Sequence, residues 1–242
     1  MGGGSVIDTT FDVRTDAGGG DPDRYSGTLR RYHQLLWSKP LPNGQLFDLD
    51  PRLRHQSTLG TFQLSSDGIV HTYTRWSRPA RLAHVVGQIP AEEQVAFYDL
   101  ACTVGAFLVF PVKHPVDGIR RQSINQRRGT HHQIRDRFDL TLECIRRQYT
   151  GAASPLSDTL DLHGDFFALF DDFRGYVEHF LLQDLVTDDF TSVRFMKDFA
   201  DFSNDPLPAG SPDEYREYMN RWMTFIRDRN TRIATYAAAH LA

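Results

Sequence analysis

The segment from Ser123 to Glu143 holds the densest group of side chains suited to acid–base chemistry. Its carboxylates Asp136, Asp139 and Glu143 follow at i, i+3 and i+7, so a helix would place them along one face. Two carboxylates about one helical turn apart can divide catalytic work, one protonated as an acid and the other ionised. The competing interpretation is an exposed helix whose carboxylates form ion pairs with arginines, each worth about 0.2–0.5 kcal/mol.

Polar residues just before these carboxylates are suited to binding a nucleotide. Amide side chains carry the paired donors and acceptors that read the edge of a base, and guanidinium groups bind phosphate. The predicted catalytic residues are Asp136, Asp139 and Asn125, and the predicted substrate contacts in this segment are Gln126, Arg127 and Arg128.

A second group of candidates lies at the end of a predicted helix, which two prolines stop. Here Trp37 would offer an aromatic face on which a base stacks, and Lys39 a charge that neutralises a phosphate. In the alternative interpretation, Trp37 packs in the core and Lys39 interacts with the helix dipole. The substrate contacts predicted in this second group are Tyr32, His33, Trp37 and Lys39.

Charge is distributed unevenly along the chain. Between residues 119 and 149, eight arginines stand against three carboxylates, a balance of +5. Between residues 151 and 213, thirteen carboxylates stand against three basic residues, a balance of −10. This split predicts one face that attracts anions, such as a nucleic acid or nucleotide. The alternative, left equally open, is that the two segments pair with each other.

The sequence lacks the motifs of the common nucleotide-binding and hydrolytic enzymes. It contains no Gly-x-x-x-x-Gly-Lys-Ser/Thr, Gly-x-Gly-x-x-Gly, His-Glu-x-x-His or Gly-x-Ser-x-Gly. The adjacent His131 and His132 would point about 100° apart on a helix, so they are poorly placed to chelate one ion. We therefore expect neither a metal ion nor a bound cofactor.

Length and composition are those of a globular protein. The chain has 242 residues, 40% of them apolar and 24% charged, enough for one large domain. Its longest apolar run, residues 106–112, is far shorter than the about 20 residues that span a bilayer. The two cysteines, Cys102 and Cys144, cannot form a disulfide framework, and the N-terminus lacks the pattern of a signal peptide. We expect a cytoplasmic protein with no membrane partner.

Helix signals occur in the first quarter of the chain and throughout its second half. Ser26 is a typical N-cap, an apolar stripe over residues 134–149 is followed by Gly151 as a stop, and Ser211 opens a capping box. The stretch 166–186 is aromatic and leucine-rich at helical spacing, which is typical of core helices.

Strand signals lie mainly in the N-terminal half. The alternating runs 58–64 and 69–74 around Asp67-Gly68 predict a β-hairpin, residues 106–112 a buried strand and residues 193–199 a last strand. The pattern predicts an α+β fold, with a small antiparallel or mixed sheet packed by helices and a long C-terminal helix.

The chain divides at about residue 23 in composition. The glycine-rich residues 1–23 predict a flexible or extended N-terminal arm, and residues 24–242 a single globular α+β domain.

The two candidate segments also carry a resemblance to known sequences. The residues that carry it are Tyr32-His33, Leu36-Trp37-Ser38-Lys39-Pro40-Leu41-Pro42, Ser123-Ile124-Asn125-Gln126 and Asp136-Arg137-Phe138-Asp139-Leu140-Thr141-Leu142-Glu143. From about Phe11 onward, the chain resembles a group of uncharacterised bacterial single-domain proteins. That group has no assigned activity, so the resemblance implies no functional residues.

The candidate residues fit an enzyme that cleaves or transfers at an N-glycosidic bond of a nucleotide or nucleic acid. This class covers DNA base glycosylases, NAD glycohydrolases and ADP-ribosyltransferases. Its oxocarbenium-like transition state needs a carboxylate near the anomeric carbon and groups that hold the base. One alternative is a magnesium-dependent nuclease whose ligands are Asp136, Asp139 and Glu143. The other is a non-catalytic module that binds nucleic acid or protein.

Overall fold

The structure is a computed structural model that describes residues 6–47, 49, 63–73, 80–113 and 123–241. About half of the chain is helical, and the described residues also form two small antiparallel sheets, which confirms the predicted α+β class. The helices are α1 (Pro22–Tyr25), α2 (Gly27–Trp37), α3 (Ala80–Val86), α4 (Ala91–Leu100), α5 (Ile124–Thr130), α6 (Phe138–Thr150), α7 (Ser157–Asp161), α8 (Gly164–Phe167), α9 (Phe173–His179) and α10 (Pro212–His240). The strands are β1 (Lys39–Pro40), β2 (Leu46–Phe47), β3 (Gln63–Gly68) and β4 (Phe107–Lys113).

The predicted helix ends are confirmed where a side chain or a glycine satisfies the terminal backbone groups. The Ser26 hydroxyl accepts from the amide of Leu29 at the start of α2. Helix α6 stops at Gly151, whose φ of 71° is the left-handed conformation that glycine adopts most easily. At the start of α10, the Ser211 hydroxyl accepts from the amide of Glu214.

The main sheet pairs two strands that lie far apart in the sequence. Strand β3 runs antiparallel to β4, with Asp67 opposite Leu108 and Gly68 opposite Phe107. The hairpin turn predicted at Asp67-Gly68 is therefore wrong, because both residues belong to the ladder. Of the two runs in that prediction, residues 58–62 and 74 lie outside the described residues. The buried strand predicted over 106–112 is confirmed as β4.

Two other predicted elements differ from the structure. Residues 193–199 form no strand. An isolated bridge joins Val193 to Val186, and the backbone groups of the loop between these two residues bond to each other. The stretch 166–186 is core as predicted, but it is divided among α8, α9 and two 3-10 turns, Ala168–Phe170 and Gln183–Leu185. Its division follows a positive φ of 63° at Asp171, which interrupts the helical backbone.

Residues 6–23, the described part of the segment predicted as a flexible or extended arm, pack onto the rest of the protein; residues 1–5 of that prediction lie outside the described residues. Ile7 and Val13 are fully buried, and the amide of Val13 donates to the carbonyl of Cys102. Arg14 forms ion pairs with Asp12 and with Asp99 at the end of α4. The prediction was based on the glycines of this segment, whereas the apolar residues between them determine where it lies.

Helix α10 packs against α3, α4 and the 3-10 turns Val104–Ala106 and Gln183–Leu185, and it supplies one face of the core. Its buried residues include Tyr218, Trp222, Phe225 and Ile233. Arg229, also buried, donates to the carbonyls of Leu181, Gly105, Phe107 and Phe180 and so ties α10 to β4 and to the turn after α9.

Candidate active site

The candidate site is built around Arg128, a fully buried arginine on α5. One of its nitrogens, Nη1, lies 2.7 Å from Asp67 Oδ2 and 2.8 Å from Asp136 Oδ1. The guanidinium also lies between the rings of Phe110 and Phe138, each centred 5.9 Å from its carbon. A buried cation is thus held by two carboxylates whose side chains remain 23% and 29% exposed.

Backbone contacts lock Asp136 against α5. Its amide donates to the carbonyl of Arg128, and Arg128 Nη2 donates back to the carbonyl of Asp136 at 2.9 Å. Arg135 and Asp136 both have positive φ, 49° and 66°, an uncommon conformation for residues with a side chain. Strained backbone of this kind persists where the surroundings determine it, and it concentrates at functional sites.

His71 is the third group at this site. Its Nδ1 lies 3.1 Å from Asp136 Oδ2. The hydroxyls of Tyr215 and Tyr218 on α10 donate to the carbonyls of Thr72 and His71, at 2.8 and 3.2 Å. The C-terminal helix therefore positions the imidazole at the carboxylate of Asp136.

A further carboxylate, Asp23 on α1, lies at the end of β3. Its Oδ1 accepts from the hydroxyl of Ser66 at 3.0 Å, and its Oδ2 accepts from the amide of Gly68 at 3.3 Å. Asp67 lies between these two β3 residues. We call Asp23, Ser66, Asp67, His71, Asn125, Arg128 and Asp136 the Arg128 cluster.

The carboxyl groups of the cluster differ in proton affinity. Burial, followed by the charges of Asp67 and Asp21, raises the pKa of Asp23 to about 7. Burial also outweighs Arg128 and raises the pKa of Asp67 to about 6. At Asp136 burial acts in the same direction, but Arg128 and His71 outweigh it, so its pKa lies below the ordinary value. Near neutral pH the cluster thus combines carboxyls that can hold a proton with one that stays ionised.

Asn125 joins the cluster from the first turn of α5, which Ser123 caps. Its Nδ2 donates to the hydroxyl of Ser65 and the carbonyl of Ser66. This fixes the orientation of the amide, because the carbonyl can only accept. The other end, Asn125 Oδ1, is buried and has no hydrogen-bond partner among the residues that the structure describes. It is a buried acceptor that no described group satisfies.

The predicted stripe of carboxylates is not formed. Helix α6 begins at Phe138, so Asp136 precedes it, and each of the three carboxylates has a different partner. Asp139 is fully buried, pairs with Arg137 and accepts from the amide of Met196 at 2.9 Å. Glu143 pairs with two arginines, Arg146 and Arg147. The structure therefore places Asp139 in a structural ion pair, away from the site where we expected it to act.

Tyr32, His33 and Trp37, predicted as substrate contacts, are buried in the structure. The ring of Trp37 packs edge-on against Phe180, at 5.3 Å between centroids, so no face is open for a base. The hydroxyl of Tyr32 accepts from the amide of Asp8. These three positions correct the prediction, because the helix ending at Trp37 turns its aromatic side toward the core.

Lys39, the remaining predicted contact of that group, is half-buried on β1. Its ammonium lies 5.5 Å from the ring centre of Trp37 and 4.7 Å from that of Tyr236. Burial, and then the charge of Arg229, lowers its pKa to about 7. The structure places Lys39 on this aromatic pair and not in the Arg128 cluster.

In the arginine-rich segment 119–149, fewer of the described arginines lack an ion pair than the composition suggests. Four of its described arginines, Arg128, Arg137, Arg146 and Arg147, form ion pairs with carboxylates. Arg127 and Gln126 are exposed on α5, the helix that carries Asn125, and Arg127 forms no ion pair within the described part of the chain. Among the described arginines of this segment, Arg127 and the exposed Arg135 are thus the two without an ion pair that could attract an anion.

Sequence reasoning missed Asp23, Ser66, Asp67 and His71. Asp23 lay in the segment taken for an arm, and Ser66 and Asp67 in the one taken for a hairpin. No spacing connects them with Arg128, because the chain brings them together only through the β3–β4 pairing and the packing of α1. The Asp-Gly pair at residue 67 was the one local signal, and it is equally typical of a turn.

Two grooves elsewhere flank the first half of α10. One, of about 650 Å³, is lined by Lys197, Asp205, Glu214 and Arg221, among others, and the second, of about 730 Å³, shares Arg221 with it. Arg221 pairs there with Glu217. Both grooves present acids and bases together, which selects no single charge on a ligand.

The described residues contain no group of three or more His, Cys, Asp and Glu side chains placed to hold a metal ion. None of their helices combines the length and the apolar character needed to span a bilayer.

Fold and cluster together define an α+β protein whose candidate site is a buried arginine shared by carboxylates. The chain matches a family of unknown function, DUF6994, over residues 7–233, and it belongs to that family. The resemblance to an uncharacterised family is thereby confirmed. Comparisons with curated proteins and with solved structures found no match.

Proposed function

We propose that this protein is an enzyme that cleaves or transfers at an N-glycosidic bond of a nucleotide or nucleic acid, with the Arg128 cluster as its active site. The observation that carries this proposal is the sharing of Arg128 Nη1 by Asp67 and Asp136, both partly exposed. Paired carboxyls with different proton affinities are the usual means of glycosidic bond cleavage.

The arrangement supports division of the chemistry between two kinds of carboxyl. Asp23 and Asp67, whose pKa values are raised to about 7 and about 6, can deliver a proton to a leaving base. Asp136 stays ionised and can stabilise positive charge at the anomeric carbon or activate water.

Residues on α5 support a nucleotide as the substrate. Asn125 Oδ1 is buried and has no partner in the described residues, and an N–H group on a base that reached it would satisfy it. Arg127 and Gln126 lie exposed on the same helix, where a guanidinium can contact phosphate. The magnesium-nuclease alternative finds less support, because Asp136, Asp139 and Glu143 bind different partners and do not converge.

The proposal places the enzyme in the cytoplasm. Cys102 and Cys144 are both buried free thiols, and burial raises the pKa of each. Unpaired cysteines are typical of a reducing compartment.

Small-molecule mass spectrometry tests the proposed activity. Purified protein is incubated with NAD, plain DNA and DNA bearing modified bases, with and without chelator. We expect release of a free base or of nicotinamide that persists with chelator. Nucleotides released only with magnesium would establish a nuclease, and the absence of any product from the folded protein would favour a binding module.

Variants of the cluster then test the assignment of the site. Asp67→Asn and Asp136→Asn should each lower kcat/KM by about 100-fold or more, the usual contribution of a positioned acid or base. Asp158→Asn is the matched control, since the side chain of Asp158 is exposed and forms no hydrogen bond or ion pair within the described ranges. Thermal unfolding identifies any variant that fails to fold. Full activity in both folded cluster variants would contradict the assignment.

A further inference from the structure

We infer that Trp37 and His33 are positioning residues that act through the Ser66 hydroxyl on Asp23. The three side chains form a chain of hydrogen bonds from the core to the Arg128 cluster. Trp37 Nε1 lies 2.8 Å from His33 Nδ1, His33 Nε2 lies 3.0 Å from Ser66 Oγ, and Ser66 Oγ lies 3.0 Å from Asp23 Oδ1. We call this chain of hydrogen bonds the relay. The role of the relay in catalysis rests on the proposed function, whereas the order of its donors and acceptors does not.

The order of donors starts at Trp37. An indole nitrogen only donates, so His33 Nδ1 must accept and cannot carry a proton. Both side chains are fully buried, and one helical turn separates them, as residues i and i+4 of α2. The geometry of one helix therefore selects the tautomer of His33.

The tautomer of His33 determines the direction of the hydrogen bond between His33 and Ser66. Burial, and then the charge of Arg229, lowers the pKa of His33 to about 3, so the ring is neutral at physiological pH. A neutral imidazole with an unprotonated Nδ1 carries its proton on Nε2, which then donates to Ser66 Oγ.

The hydroxyl of Ser66 has one proton, which it can donate to only one of its two partners. Because its oxygen already accepts from His33, the hydroxyl donates to Asp23 Oδ1. The amide of Gly68 donates to the other oxygen of Asp23. Both carboxylate oxygens thus accept a hydrogen bond, which favours the ionised form of Asp23.

The charges around Asp23 act against that form. The groups that face it are Asp21 on its own side, Asp67 on β3, Arg128 on α5 and the thiol of Cys102 after α4, together with His33 behind Ser66. The two aspartates and burial favour the protonated carboxyl. The hydrogen bond from Ser66 opposes them in part, so that Asp23 can exchange a proton near neutral pH, the condition under which a general acid or base is most effective. Without this hydrogen bond, the pKa of Asp23 would be higher.

Nuclear magnetic resonance tests the hydrogen-bond order without any substrate. In the wild-type protein at pH 7, nitrogen-15 spectra of His33 should show a neutral ring protonated at Nε2. A ring protonated at Nδ1, or at both nitrogens, would overturn the inference. This measurement needs no variant, so a folding failure at the buried Trp37 does not affect it.

Carbon-13 titration of the aspartate carboxyls tests the effect on Asp23, with Asp23→Asn to assign its signal. Ser66→Ala should raise the pKa of Asp23 by about one unit or more, because a hydrogen bond to the charged form is lost. Ser66→Thr, which keeps a hydroxyl, should restore it, and Trp37→Phe should shift it in the direction of Ser66→Ala. An unchanged titration in folded Ser66→Ala would overturn the inference.

Activity separates this inference from the proposed function. If a substrate is found, the pH profile of kcat/KM should move to higher pH in Ser66→Ala and return in Ser66→Thr. A relay confirmed by both resonance measurements, in a protein that releases no base from any substrate, would refute the N-glycosidic activity and leave the hydrogen-bond order standing. An active enzyme with an unchanged pH profile in Ser66→Ala would overturn the role given to the relay.

Discussion

Replacing Asp23 by asparagine tests whether the cluster binds a proton in the folded state. The pKa of Asp23 is raised from its ordinary 3.8 to about 7, so between these pH values the folded protein binds a proton that the unfolded chain releases. The contribution of this group to the free energy of unfolding therefore falls as pH rises from about 4 to about 7. An asparagine side chain does not titrate, so the variant should lack this loss.

The magnitude follows from the size of the pKa shift. One unit corresponds to about 1.4 kcal/mol, so the full shift would be worth about 4 kcal/mol. Water reaches part of this half-buried carboxyl and screens its charge, which reduces the effect to about 1–2 kcal/mol. Asparagine keeps one acceptor but loses another, and this second cost is the same at every pH. Relative to wild type, the variant should thus gain about 1–2 kcal/mol between pH 5 and pH 8.

Urea unfolding followed by circular dichroism at pH 5, 6, 7 and 8 measures this difference. Asp158→Asn, at an exposed position outside the cluster, serves as the matched control variant. The reasoning is refuted if Asp23→Asn is destabilised by equal amounts at pH 5 and pH 8, because Asp23 would then titrate alike in both states.

Two further predictions concern residues that hold α10 in place. Gly105→Ala should cost about 2 kcal/mol or more, because a Cβ would lie 2.5 Å from Asn230 Oδ1 and 3.0 Å from the carbonyl of Ile226; thermal unfolding measures this, and an unchanged melting temperature would contradict the packing. Arg229→Lys should cost about 2–4 kcal/mol in urea, since one ammonium cannot serve the four carbonyls that the guanidinium reaches. Wild-type stability in that variant would show that these carbonyls find other donors.

The sequence predicted well those features that depend on neighbours within one helical turn. Ser26, Gly151 and Ser211 each satisfy backbone groups three or four residues away, so the residue type alone indicates the helix end. The α+β class followed from the same local patterns.

Features that depend on distant partners escaped prediction. Strand β3 pairs with β4 rather than with the adjacent run, and nothing in the Asp67-Gly68 pair distinguishes a ladder from a turn. The prediction of a carboxylate stripe was wrong for a related reason. Arg137, two residues before Asp139, points inward and pairs with that carboxylate in the core. Of the predicted catalytic residues, Asp136 and Asn125 reach the cluster, because Arg128 and β3 hold them there.

Tyr215 and Tyr218, whose hydroxyls donate to the carbonyls of Thr72 and His71, determine the order in which the site is assembled. During synthesis, Asp23, Asp67, Arg128 and Asp136 all leave the ribosome well before Tyr215 and Tyr218. A nascent chain therefore holds every carboxylate of the cluster while the segment bearing His71 still lacks its anchor. Completion of the site therefore waits for the docking of α10, the last element of the chain to be made.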